Sequence, residues 1–231
     1  MQQLVLDLGL AAPPTLDNFF ADAAQPAVAH LRQVLAQPQC PSVPSFIWGA
    51  SGSGKTHLLH AVRLALQQQG QTVGWLDPGS QVLPDFEDHW AAVLLDDCQH
   101  YNSAQQALAF NWSINALTPT DGRPRWVLAA ADRPPTDLDL RADLRTRLGW
   151  GHVFQLPILN DAERRRVLRL AASARGLNLP DELLDFMLGR FARELGSLMA
   201  LLERLDGYAL RTQRPLTVPL LKAMLEETCA S

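Results

Sequence analysis

The sequence predicts an α/β fold: a three-layer core with a parallel sheet over residues 15–158, followed by a small helical domain over 159–231. Three observations carry this. Short apolar runs alternate with amphipathic helical patterns as far as Leu156, the alternation that a parallel sheet flanked by helices requires. A Gly/Ser-rich loop joins the first apolar run of the core to a helix, and from Asp161 onward no strand pattern recurs.

The chain opens MQQLVLDLGLAAPP, with Leu4, Leu6, Leu8 and Leu10 on every second position. Period 2 marks an extended segment with one apolar face. Its partner is either this protein's own sheet or another protein. Pro13 and Pro14 end it, so residues 1–14 form a separate tail. Gln25 to Gln37 places Val28, Leu31 and Leu35 on one helical face, and Pro38, Pro41 and Pro44 make the loop that follows. SFIW reads as a strand, and the helix after the Gly/Ser loop turns Leu58, Leu59, Val62 and Leu66 inward until Gly70 stops it. TVGWL and AVLLDD are further strands, Ser103 to Leu117 a helix, and RWVLAAADRPP a strand ending at Asp132. The last third reads as four helices: DAERRRVLRLAASARG with an Asp161 cap and a Gly176 stop, then PDELLDFMLGRFA, RELGSLMALLERLDGYALR and LTVPLLKAMLEETC. The Arg164–Arg166 run with Arg169 reads as a charged helix face.

The 231 residues are 47% hydrophobic and 19% charged, enough apolar material for a core, and the net charge of -4 argues against a large nucleic-acid surface. Cys40, Cys98 and Cys229 show no metal spacing, which fits free thiols in a reducing compartment. The first residues lack the positive charge of a secretory signal, and no apolar run is long enough for a membrane span. A soluble cytoplasmic protein is expected.

GASGSGKT, Gly49 to Thr56, fits G-x-x-x-x-G-K-[ST] between a predicted strand and a predicted helix. Gly49, Gly52 and Gly54 leave room for phosphate oxygens to approach the backbone N–H groups of the loop, including those of Ser51 and Ser53. Lys55 supplies charge to the β- and γ-phosphates of ADP or ATP, and the Thr56 hydroxyl can ligate Mg2+. VLLDDCQ delivers Asp96 beside the loop, where a carboxylate holds the metal, and Asp97 is placed to polarise an attacking water, although the longer Glu is common there.

Several segments together resemble one family. TLDNFF from Thr15, GASGSGKTHLLHA, LLDDCQ, AADRPP, RTRLGWG and ARELGSL stand in the order of the ATPase module of DnaA-related AAA+ proteins, and the match runs from Thr15 nearly to the C-terminus. The resemblance implies an AAA+ core with a helical lid. It implies that Asp132 is the first sensor, that Arg193 is the second, and that Asp17, Asn18 and Phe19 pass near the adenine. It implies that Arg147 reaches in trans into a neighbouring subunit's nucleotide, with Arg145 as the other candidate for that arginine finger. Members that initiate replication carry a helix-turn-helix domain after the lid, whereas this sequence ends at Ser231. The expectation is therefore a module without sequence-specific DNA binding, similar to the Hda family of regulatory inactivators. In that family the protein binds the DNA polymerase III sliding clamp and stimulates ATP hydrolysis by the DnaA initiator; the resemblance leaves a homo-oligomer open.

Against that background Gln3, Leu4, Leu6, Asp7 and Leu8 resemble a clamp-binding peptide, with Val5 and Asp7 departing from the family pattern. An extended peptide with alternate anchors suits such recognition. A helicase loader or adaptor acting through its own ATP hydrolysis is the alternative. A plain single-stranded-DNA binder is disfavoured, because no basic strip interleaved with aromatic residues is present.

Overall fold

The middle of the sheet is Trp126–Ala131, and all six of its residues are buried. Burial on both faces explains why this strand reads as continuous apolar sequence without alternation. The structure, a computed structural model, describes residues 13–19, 24–37, 40–191 and 195–229. The expected clamp peptide (Gln3 to Leu8) and Arg193 lie outside the described residues.

In chain order the core contains α1 (Gln25–Ala36), β1 (Ser45–Trp48), α2 (Lys55–Gln68), β2 (Thr72–Leu76), β3 (Trp90–Leu95), α3 (Ser103–Leu117), β4 (Trp126–Ala131), α4 (Ala142–Gly149) and β5 (His152–Gln155). The five strands run parallel in the order β2-β3-β4-β1-β5. Phe46, Val93, Leu95, Val127, Ala129 and the Trp112 of α3 lie in one apolar cluster beside the sheet. α3 starts on a capping box: the Asn102 side chain accepts from the Gln105 N–H, and the Gln105 side chain accepts from the Asn102 N–H.

Two elements were not legible in the sequence. β5 is an edge strand in which only Phe154 is even half-buried, so HVFQ carries no core-facing apolar run. α4 is short and charged, with Leu144 and Leu148 its buried residues.

By contacts the chain divides into one unit over Pro14–Ile158 and another that includes Leu159–Ser231. The second unit holds α5 (Asp161–Ala174), α6 (Asp181–Arg190), α7 (Leu195–Thr212) and α8 (Val218–Cys229). Its own core is leucine-rich, with Leu168, Leu184, Leu198, Leu202, Leu205 and Leu220 fully buried. One expectation is corrected here. The cap of α5 is Asn160, not Asp161, because Asn160 accepts from the Glu163 N–H at 2.9 Å while Glu163 accepts from the Asn160 N–H at 2.8 Å. Asp161 then stands in the first turn, where its charge suits the helix N-terminus.

The arginine run of α5 is also not simply a solvated face. Arg164 is buried and pairs with Asp161, while Arg165 and Arg169 pair with Asp185 and Asp181 of α6. Cys40 and Cys98 are free thiols. Burial pushes the Cys98 thiol up to about 12.

Candidate functional site

Parallel strands put their C-terminal ends on one edge, and the candidate residues gather there. β1 ends at Trp48 and passes directly into Gly49, whose N–H donates to Ala131 O at the end of β4 (3.2 Å). The chain leaving β5 presses against the same glycine: a Cβ there would lie 2.3 Å from Leu156 O. Gly52 and Gly54 both hold positive φ, 77° and 95°. Those values turn the backbone into a concave loop that ends on the first turn of α2, where N–H groups lack intrahelical acceptors.

Lys55 is buried in this loop, its Nζ donating to Gly49 O at 2.8 Å and to Ala50 O at 3.3 Å. Ser53 Oγ is buried without a hydrogen-bond partner among the described residues. A buried hydroxyl and a buried ammonium in a glycine loop form a donor set that suits phosphate oxygens.

β3 delivers the carboxylates. Asp96 is buried, accepts from the Thr56 hydroxyl and from the Asp97 N–H (3.0 Å), and burial pushes its carboxyl above the usual carboxylate range. Thr56 and Asp96 therefore already touch, the pairing expected for a magnesium site. Among the described residues no group of three or more His, Cys, Asp or Glu side chains forms a metal cage. Magnesium needs none, because water and substrate phosphates fill most of its coordination sphere.

Asp97 adopts the left-handed conformation, φ 48°, which turns the chain sharply after the strand. Its carboxylate accepts from Gln99 Nε2 at 3.0 Å, and Gln99 Oε1 accepts from the Asp132 N–H at 3.1 Å. One amide side chain thus links the end of β3 to the end of β4. Asp132 Oδ1 is buried without a hydrogen-bond partner among the described residues, an acceptor held in reserve beside the loop.

Of Asp17, Asn18 and Phe19, Phe19 lies at this loop, while Asn18 contacts His57 of α2. Phe19 Cε2 is 2.5 Å from where a Cβ on Gly54 would be, so the ring covers the second half of the loop. Asp17 pairs with Arg32 of α1 at 2.8 Å.

Arg147 sits on α4, half-buried, its guanidinium 5.8 Å from the centre of the Phe110 ring. Among the described residues it makes no ion pair, and its Nε is buried without a partner. Arg145 differs, because its Nη1 donates back to Leu138 O at 3.3 Å.

Sequence reasoning missed Gln99, Phe110 and His57 of α2. Only Gln99 carried a signal, through its place directly after the Asp-Asp-Cys end of β3. His57 contacts Thr15 and Asn18, and burial lowers its pKa.

A glycine-rich loop between β1 and α2, carboxylates at the ends of β3 and β4, and a separate helical unit define a P-loop protein of the AAA+ class. Residues 10–75 match the family model for the bacterial DnaA ATPase domain, and residues 161–225 match the model for the Hda lid domain. By these matches the chain is similar to DnaA-related AAA+ proteins in its first third and to the Hda lid in its last third.

Solved structures share the fold. Domain III of the Thermotoga maritima replication initiation protein DnaA is 21% identical, with 92% of this chain and 95% of that chain covered and a TM-score of 0.73. DnaA of Aquifex aeolicus bound to AMPPCP is 21% identical over 84% of this chain and 65% of that chain, TM-score 0.64. The Holliday junction branch migration motor RuvB of Thermotoga maritima is 19% identical over 94% of this chain and 72% of that chain, TM-score 0.64. This chain thus spans about two thirds of the Aquifex initiator. No helix among the described residues is long and apolar enough to cross a membrane.

Proposed function

We propose that this protein binds ADP or ATP with Mg2+ and, tethered to the DNA polymerase III sliding clamp, stimulates ATP hydrolysis by the DnaA initiator, making it a negative regulator of replication initiation. The observation that carries the reading is the pairing, in one chain, of a DnaA-type ATPase segment with an Hda-type lid.

On this reading Gly49, Ser51, Gly52, Ser53 and Gly54 cradle the phosphates through the loop backbone, and Lys55 leaves its own loop carbonyls to supply charge. Thr56 and Asp96 hold the metal, which neutralises charge on the phosphate oxygens. Asp132 faces the far end of the phosphate chain, and Arg193 links the lid to what the loop holds. The Asp97 carboxylate is engaged by Gln99, which fits a protein whose own nucleotide sets its shape more than it serves as fuel.

Arg147 is presented in trans to the ATP of the initiator. A guanidinium resting on an aromatic ring, without a carboxylate to neutralise it, keeps its full charge available for a transferring phosphoryl group. Such fingers contribute about 10³ to 10⁵ in rate. The tail residues Gln3, Leu4, Leu6, Asp7 and Leu8 supply the clamp contact. Low intrinsic affinity is expected of an extended peptide, and a ring that retains the protein on DNA compensates through effective concentration.

The test mixes the protein, DNA-loaded clamp and ATP-bound initiator and follows conversion to ADP. Acceleration that depends on all three components is the expected result. A rate equal to that of the initiator alone sinks the proposal.

A further inference from the structure

The segment Thr15–Phe19 crosses α1 and α2 as a short strap. It folds on itself first: the Thr15 N–H donates to Asn18 Oδ1 (2.9 Å) and the Asn18 N–H donates to Thr15 Oγ1 (3.1 Å). The first of these bonds identifies the Asn18 atom as the amide oxygen, an acceptor.

Two side chains then fasten the strap to the helices. On the α1 side, Arg32 Nη2 donates to Leu16 O (3.1 Å) and to Asp17 Oδ1 (2.8 Å). On the α2 side, His57 Nε2 lies 3.0 Å from Asn18 Oδ1 and 3.2 Å from Thr15 O. Both of its partners are acceptors, so Nε2 must carry the proton and donate to both. The Phe19 ring lies 5.7 Å from the His57 ring and caps Gly54.

Leu16 is the buried apolar residue of the strap. A cleft of about 240 Å³ lined by Thr15, Leu16, Asp17, Arg32, Ala61 and Leu64 remains between it and the helices. The polar anchors at Arg32 and His57 therefore add to Leu16 in setting where the strap lies. The His57 anchor is the one on the helix that begins at the phosphate loop, directly after Thr56.

We infer that His57 is a positioning residue that latches the strap to the phosphate-loop helix, so that the wall of the nucleotide site beyond the phosphates is built by its Nε2–H. The inference rests on the nucleotide-binding reading. Its consequence is a split between ligands. Inorganic pyrophosphate needs only the loop, whereas ADP reaches past the loop to the strap that Phe19 carries.

Three variants of the full chain test it: His57→Leu removes the donor, His57→Asn carries an amide too short to reach the Nε2 position, and His57→Gln places an amide N–H near it. Calorimetric titration with ADP and with pyrophosphate gives the first readout. His57→Leu and His57→Asn are expected to weaken ADP about tenfold and to leave pyrophosphate within about twofold, while His57→Gln retains most of the ADP affinity. ADP binding unchanged in His57→Leu overturns the inference. An equal loss of ADP and pyrophosphate also overturns it, because that marks damage to the loop itself.

Hydrogen exchange of residues 15–19 in the ligand-free protein gives the second readout. His57→Leu is expected to speed it about tenfold and His57→Gln to restore protection; unchanged exchange overturns the latch. If the unaltered protein binds neither ligand, the nucleotide reading fails by itself and the exchange result alone decides on the latch.

Discussion

Gly54→Ala combines two costs that the structure separates. Gly54 holds φ 95°, and a methyl group there would sit 2.5 Å from Phe19 Cε2 and 3.2 Å from Phe19 Cζ. A left-handed conformation costs a residue with a Cβ roughly 1–2 kcal/mol. Overlap with a ring that must then move costs about 1–3 kcal/mol more. The sum, roughly 2–5 kcal/mol, corresponds to a fall in Tm of roughly 4–20 °C for a chain of this size. Gly70→Ala is the matched control, because Gly70 holds φ 74° at the other end of α2 with nothing within 4 Å of its Cβ position. It should show the conformational cost alone. Thermal unfolding of both variants measures the difference, and a cycle with Phe19→Ala assigns it: once the ring is gone, Gly54→Ala should cost no more than Gly70→Ala. Equal costs in the two single variants, without coupling to Phe19, would refute the placement of the strap over the loop.

Asp96→Asn should raise the Tm of the ligand-free protein at pH 7 while weakening magnesium-dependent nucleotide binding. Burial raises the Asp96 pKa, so its contribution is full below the unfolded value and is lost as pH rises through the folded one. The gain should therefore vanish in acid, and a lower Tm at pH 7 would contradict the assignment. Arg147→Ala should leave the fold and clamp binding intact yet abolish stimulation of the initiator, and Phe110→Leu should reduce stimulation about tenfold by freeing the guanidinium; full activity of Arg147→Ala moves the finger to Arg145. Removing residues 1–10 should end co-elution with the clamp while nucleotide binding persists, and continued co-elution would exclude the tail as the clamp contact.

What was legible in the sequence depended on whether a residue's role is local. The loop GASGSGKT announces itself because its glycines, lysine and threonine act within eight consecutive positions. β3 and β4 were legible because strands covered on both faces become continuous apolar runs. β5 was not, since an edge strand with exposed residues needs no such run. His57 could not be read either. Its partners lie 39 and 42 positions away, and a histidine on a helix has no pattern of its own. Phe110 was indistinguishable from a core residue of α3 until α4 placed Arg141 and Arg147 over its ring, 5.4 and 5.8 Å from the centre. The α5 cap was misread by one position because Asn160 and Asp161 are both good caps, and only the reciprocal bond from Glu163 separates them.

Strand order is what turns these scattered residues into a site. β1 pairs with β4, and β4 with β3, so Gly49, Asp132 and Asp96 follow the ends of three adjacent strands. Their relative heights depend on register, since a slip of one residue would turn each side chain to the opposite face. The register is pinned at the far end of the same strands. Trp126 Nε1 donates to Ser45 Oγ at 3.0 Å in the buried interior, across 81 positions of sequence, and His30 Nε2 lies 2.8 Å from that oxygen. At the near end the Gly49 N–H meets Ala131 O, and Gln99 spans from Asp97 to Asp132. With both ends fixed, Lys55 and Asp132 are held on one rim without touching each other's partners. The loop lysine rests on its own carbonyls, and the Asp132 oxygen stays unbonded among the described residues. The Ser53 hydroxyl, also unbonded among the described residues, is a donor whose unmade bond is costly to the ligand-free fold. A phosphate oxygen in the loop is the kind of acceptor that would recover that cost, whereas the Asp132 oxygen, itself an acceptor, needs a donor such as water.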